Sequence, residues 1–171
     1  MNLRYPVSSR FEGSREARMR QLVAALWAGL AEQGVSWVGF YTAPGVRFVD
    51  GRGVEQSAGP GELLLAVREP KPACSPIGLE GMCGRSYLSR EAVVVADVEA
   101  LPPEVGYVAC DPRDRSEVVV PCLELDGRCW GVLDLDSLAP GCFDAADARA
   151  LHGLLVEAGL SHGAPPEVQR L

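Results

Sequence analysis

The stretch that decides the fold runs from Ser116 to Ser137 and reads SEVVVPCLELDGRCWGVLDLDS. Two runs rich in β-branched and apolar residues, Ser116 to Leu125 and Arg128 to Ser137, flank Asp126-Gly127. An Asp-Gly pair in that setting signals an antiparallel hairpin, because the favoured tight turn needs positive φ at its centre. As a two-residue turn it pairs Leu125 with Arg128, and counting outward sets Val119 opposite Asp134 and Glu117 opposite Asp136. Side chains alternate across a strand, so Glu117, Asp134 and Asp136 share one face. Like charges directly opposite destabilise a sheet, so this trio requires a cation, a shared proton or open water. Three readings stay open: a solvated sheet face, a Ca²⁺ or Mg²⁺ site, or a pocket that binds an ammonium group and keeps one carboxyl protonated. A slip of one residue in register would disperse the cluster. Cys122 and Cys129 fall on the other face and read as small buried hydrophobes.

Outward from the hairpin, Asp144 caps a last helix whose stripe is Leu151, Leu154, Leu155 and Ala158, with the tail from Ser161 frayed. Upstream, Met19, Leu22, Val23, Leu26, Trp27 and Leu30 follow the helical period over residues 14 to 33, with Ser14 as cap and Gly34 as stop. Ser36 to Thr42 reads as a strand with Trp37, Gly39 and Tyr41 on one face and Val38 and Phe40 on the other. Short strands follow near Val46 to Val49 and at Glu62 to Arg68, separated by a Gly-rich loop over residues 50 to 61. Gly81 to Arg90 forms a short helix before the strand Ala92 to Ala96, and Asp97 to Arg115 is a long loop of the kind that carries function. This order of elements gives an α+β domain with an antiparallel sheet. Trp37 and Tyr41, on one strand face, either pack the core or wall a pocket.

The chain of 171 residues carries a net charge of -7 and a single lysine, Lys71, which leaves no basic patch for a nucleic acid. Its longest apolar stretch, Leu22 to Ala31, falls short of the ~20 residues that span a bilayer, and Met1 to Gly13 holds no apolar leader; a cytoplasmic protein with no membrane partner is expected. In that reducing compartment six cysteines read as catalytic, redox or buried groups before structural disulfides. Metal binding is disfavoured, since no CxxC occurs and His152 and His162 follow every cysteine, although a zinc site from Cys74, Cys83 and Cys110 stays open. Those three cysteines sit among Gly, Pro and Asp residues, where a thiol is accessible for reaction.

Several runs carry a family resemblance: Ser36 to Tyr41, Pro72 to Ile77, Gly81 to Gly84, Ala109 to Asp111, Ser116 to Pro121 and Gly131 to Ser137. Together they resemble the free methionine-(R)-sulfoxide reductases, which are single GAF domains, and the similarity spans roughly residues 15 to 158. The resemblance implies one GAF domain over residues 1 to 171, with a six-stranded antiparallel sheet, the N- and C-terminal helices on one side and the pocket on the other. It implies a homodimer acting on free methionine R-sulfoxide without a cofactor, with thioredoxin as the reductant. By motif, Cys110 is the nucleophile, Cys74 the resolving cysteine and Cys83 a third redox cysteine, with an exchange of roles between Cys83 and Cys110 open. Glu117, Asp134 and Asp136 hold the substrate and supply the proton, and Trp37 and Tyr41 wall its methyl end. The competing reading is a GAF domain that binds or senses a small molecule without turning it over.

Overall fold

The computed structural model describes Tyr5 and residues 10 to 171, so most of the Met1 to Gly13 segment lies outside the described residues. Helix α1 (Arg15–Leu30) starts where the Ser14 hydroxyl accepts from the Ala17 amide, and the chain leaves it through Gly34 at φ 107°. Then come β1 (Val35–Thr42), β2 (Arg47–Val49), β3 (Glu55–Ser57), β4 (Glu62–Glu69) and β5 (Ile77–Gly78). Helix α2 (Met82–Ser89), β6 (Ala92–Val95), β7 (Ser116–Leu123), β8 (Cys129–Ser137), α3 (Ala145–Glu157) and β9 (Val168–Arg170) complete the described chain. Asp144 and Asp147 close a reciprocal capping box at the start of α3, which satisfies amides that the first helical turn leaves without partners.

Among the described residues the main sheet has seven strands in the order β5-β4-β1-β8-β7-β6-β9. It is mixed, which corrects the expected six-stranded antiparallel sheet: β9 runs parallel to β6, pairing Ala92, Val93 and Val94 with Val168, Gln169 and Arg170. The expected frayed tail is therefore a strand over residues 168 to 170, with Leu171 donating to Val94 O at 2.9 Å. The edge of β6 would otherwise present unpaired amides and carbonyls, and the tail supplies their partners. The Gly-rich segment expected as a loop also contains a strand, since β3 pairs with β2 as a separate ribbon.

The hairpin turn differs from the expected form, yet the register of its functional half does not. Gly127 sits at φ 79° and donates to Glu124 O at 3.0 Å, while Glu124 donates to Arg128 O at 2.8 Å. Leu125, Asp126 and Gly127 thus form a three-residue loop with glycine in the left-handed position, and Leu125 does not pair with Arg128. A register shift between Cys122 and Leu123 then restores the count, so Val119 faces Asp134 and Glu117 faces Asp136. The bulge cancels the extra loop residue.

Alternation divides the sheet into two packed faces. Val38, Phe40, Val94, Val118, Val120, Leu133 and Leu135 bury against Leu22, Leu26 and Leu30 of α1 and Leu151 and Leu155 of α3. Trp37, Tyr41, Val93, Val95, Val119 and Val132 look the other way, onto Met82 and Cys83 of α2. That second face also carries the acids.

Candidate active site

Strand geometry brings the predicted residues to one cleft. Trp37 and Tyr41 of β1, Cys83 of α2, Cys110 of the long loop, Glu117 of β7, and Asp134 and Asp136 of β8 line a cavity enclosing about 600 Å³, its open mouth included. Cys74 stands just outside this lining, close enough to Cys110 for its thiol to raise that of Cys110. Cys74 and Cys110 are exposed, whereas Cys83 is buried. The remaining cysteines stay out of the site, with Cys122 inside the core against the helices and Cys129 donating to Gly131 O at 3.1 Å.

The aromatic pair does more than wall the pocket. Its ring centroids stand 6.1 Å apart, and a Cβ on Gly39 would meet the Trp37 ring at 2.3 Å, so only glycine leaves room for the indole to lie over the strand. Trp37 Nε1 donates to Lys71 O and the Tyr41 hydroxyl to Cys74 O, each at 2.9 Å, and the two bonds fix the segment that presents Cys74.

The three acids sit in a low-dielectric wall, and among the described residues none of them forms an ion pair with a lysine or arginine. Glu117 and Asp134 are each 6% exposed, and Asp134 Oδ1 is buried without a hydrogen-bond partner. Burial, followed by the neighbouring Asp134 charge, raises Glu117 well above the usual carboxylate range, while a hydrogen bond with Tyr107 opposes the shift. Burial likewise raises Asp136, reinforced by Asp134 and Glu117, and lifts Asp134 to about 7. The cluster therefore shares protons at neutral pH instead of carrying three full charges.

Cys83 Sγ donates to Asp134 Oδ2 at 3.3 Å, and burial beside these acids pushes its thiol well above the ordinary value. Partial desolvation at the pocket mouth and the Cys74 thiol raise Cys110 to about 12. Both sulfurs thus rest as thiols. Cys83, Glu117 and Asp134 place their donor atoms within 4.8 Å of one another, a set that could accept a divalent cation, whereas Cys74, Cys83 and Cys110 form no such group among the described residues.

Among the pocket residues that the sequence did not single out, two bear on the acids. Asp114, 5% exposed, adds a further carboxyl to the wall, and burial and the charge of Asp111 raise its pKa while Lys71 opposes them. Tyr107 reaches Glu117 from the long loop. Neither lies on a strand, so no alternation rule assigned it a direction; closeness to Cys110 in the chain was the available signal.

A GAF-domain family model matches residues 13 to 160. Free methionine-R-sulfoxide reductase of Saccharomyces cerevisiae is 34% identical over 121 residues, covering 70% of this chain and 59% of its own length. Protein YtsP of Bacillus subtilis is 36% identical over 75% of this chain and 68% of its own. The X-ray structure of free methionine-R-sulfoxide reductase from Neisseria meningitidis in complex with its substrate superposes with a TM-score of 0.69 at 36% identity, over 86% of this chain and 77% of that one. Matched in sequence and in fold, and with Cys83, Cys110, the acids and the aromatic pair gathered at one pocket, the chain belongs to the free methionine-R-sulfoxide reductase family of GAF domains.

Proposed function

We propose that the pocket reduces free methionine R-sulfoxide to methionine, with Cys110 as nucleophile and Cys74 as resolving cysteine. One observation carries this assignment: Cys110 lines the acid-walled cavity and is also near enough to Cys74 for the two thiols to influence each other. Carboxylates at Asp134 and Asp136 take the ammonium group of the free amino acid, and Trp37 and Tyr41 take its methyl end. Glu117, raised in pKa, holds the proton that the sulfoxide oxygen needs.

Cys110 sulfur attacks the sulfoxide sulfur while its thiol proton passes to the carboxyl cluster. Glu117 protonates the oxygen, which ends on Cys110 as a sulfenic acid, and methionine leaves; the cysteine sulfur has lost the two electrons that the substrate sulfur gained. Cys74 thiol then displaces that oxygen as water, forming a disulfide, and a dithiol protein of the thioredoxin type takes up the oxidation. A cytoplasmic homodimer is the setting that the family resemblance and the cysteine usage support.

The buried Cys83–Asp134 hydrogen bond supports a second reading in which Cys83 attacks and Cys110 resolves. Reductant-coupled consumption of methionine R-sulfoxide, measured beside the S form, separates the alternatives. Turnover of the R form that disappears in Cys110→Ser and persists in part in Cys83→Ser is the expected result. Full activity in Cys110→Ser with loss in Cys83→Ser moves the nucleophile, and a wild-type chain that binds the sulfoxide without turnover indicates a sensor.

A further inference from the structure

Cys74 and Cys110 lie on separate loops, and the two loops are anchored very differently. The Cys74 segment is pinned to the sheet at Lys71 O and Cys74 O by Trp37 and Tyr41. Asp111, next to Cys110, is organised by its own turn: its carboxylate accepts from the Arg113 amide at 3.0 Å and from the Arg113 guanidinium at 3.0 and 2.8 Å. An ion pair crosses between the loops and uses the chain's single lysine, as Lys71 Nζ donates to Asp111 Oδ2. The Lys71 and Asp111 side chains are 44% and 16% exposed, so the pair is half-shielded, and Arg113 and Lys71 together hold the Asp111 carboxyl far below its usual range. Lys71, Asp111, Cys110 and Asp114 also line a smaller cavity beside the substrate pocket.

We propose that the Lys71–Asp111 ion pair is a clasp holding the Cys74 loop against the Cys110 loop, so that Lys71 is a positioning residue for the disulfide. The inference rests on the assignment of Cys74 and Cys110 as the redox pair. Tying the Cys110 loop to a segment pinned on the sheet raises the effective concentration of one thiol at the other, which favours the closed disulfide. A charged tether with this exposure also weakens as salt rises.

The test equilibrates the full wild-type chain, Lys71→Met and Lys71→Arg with reduced and oxidised dithiothreitol. Two thiols then give two electrons and two protons to the oxidised reagent, and alkylation with peptide mapping counts the Cys74–Cys110 disulfide. Lys71→Met is expected to lower the closure constant about threefold to tenfold, tenfold being ~30 mV for a two-electron couple. Lys71→Arg is expected to stay within about twofold of wild type because it keeps the charge. At ionic strength near ~1 M, where the Debye length is about 3 Å, wild type moves toward Lys71→Met while that variant barely responds. Equal closure constants in wild type and Lys71→Met, with the Cys74–Cys110 disulfide formed in both, overturn the clasp alone. A wild-type chain that oxidises at another pair overturns the cysteine assignment and the clasp together.

Discussion

The two faces of the β7–β8 hairpin are buried to nearly the same degree, yet they do opposite things. Val118, Val120, Leu133 and Leu135 are each 0% exposed and fill the space under α1 and α3, a face on which each side chain contributes roughly 1.5 to 3 kcal/mol of burial. One residue along, Glu117 and Asp134 at 6% exposure border a cleft and carry raised pKa values. Burial on the first face is repaid by close packing. On the second it disfavours charge and leaves protons poised for transfer, so stability and chemistry are assigned to opposite sides of the same two strands.

Removing packing from the helix-covered face probes one half of that division. Leu135→Ala is expected to cost about 2 to 5 kcal/mol in denaturant unfolding, because a fully buried leucine leaves a cavity. A loss below about 1 kcal/mol would show that this face is not where the stability lies.

Glu117→Gln probes the other half. Turnover of methionine R-sulfoxide is expected to fall about 10²-fold, since the amide keeps the shape but holds no transferable proton, with the unfolding midpoint at neutral pH unchanged or raised. Equal kinetics would remove Glu117 from the acid role.

Stability against pH sharpens the contrast. Folding raises Asp134 from the ordinary carboxyl range near ~3.9 to about 7, so the folded state holds a proton that the unfolded chain has released across that window. Its contribution is fully present below the unfolded value and is lost as pH rises through the folded one. Wild-type Tm minus that of Asp134→Asn should therefore be larger at pH 5 than at pH 8 by thermal denaturation; the reverse sign would mean that Asp134 is held ionised.

The smallest effect concerns the turn that keeps the faces apart. Gly127→Ala places a Cβ at φ 79° and is expected to cost about 1 kcal/mol with turnover unchanged, because the bulge, not the turn residue, sets the register at the acids. An altered kcat would mean that strain in the loop reaches the pocket.

Local sequence determined the periodic elements and the side on which each residue projects. Spacing alone placed the α1 and α3 stripes and put Trp37 and Tyr41 together, because alternation and helical period are properties of the backbone, whereas Glu117 faces Asp136 only because the bulge offsets a turn one residue longer than the Asp-Gly pair signals. The assignment of those acids to a pocket wall was open in the sequence, since alternation says that residues share a face and not what covers it. Tertiary structure decided that α2 and the long loop roof that face, that Asp114 and Tyr107 join it, and that Cys74 and Cys110 come near each other although 35 residues lie between them in the chain. It also decided β9, whose three residues gain their strand form from the unpaired edge of β6. Contacts of this kind depend on where loops of irregular backbone come to rest, and no period in the sequence encodes that.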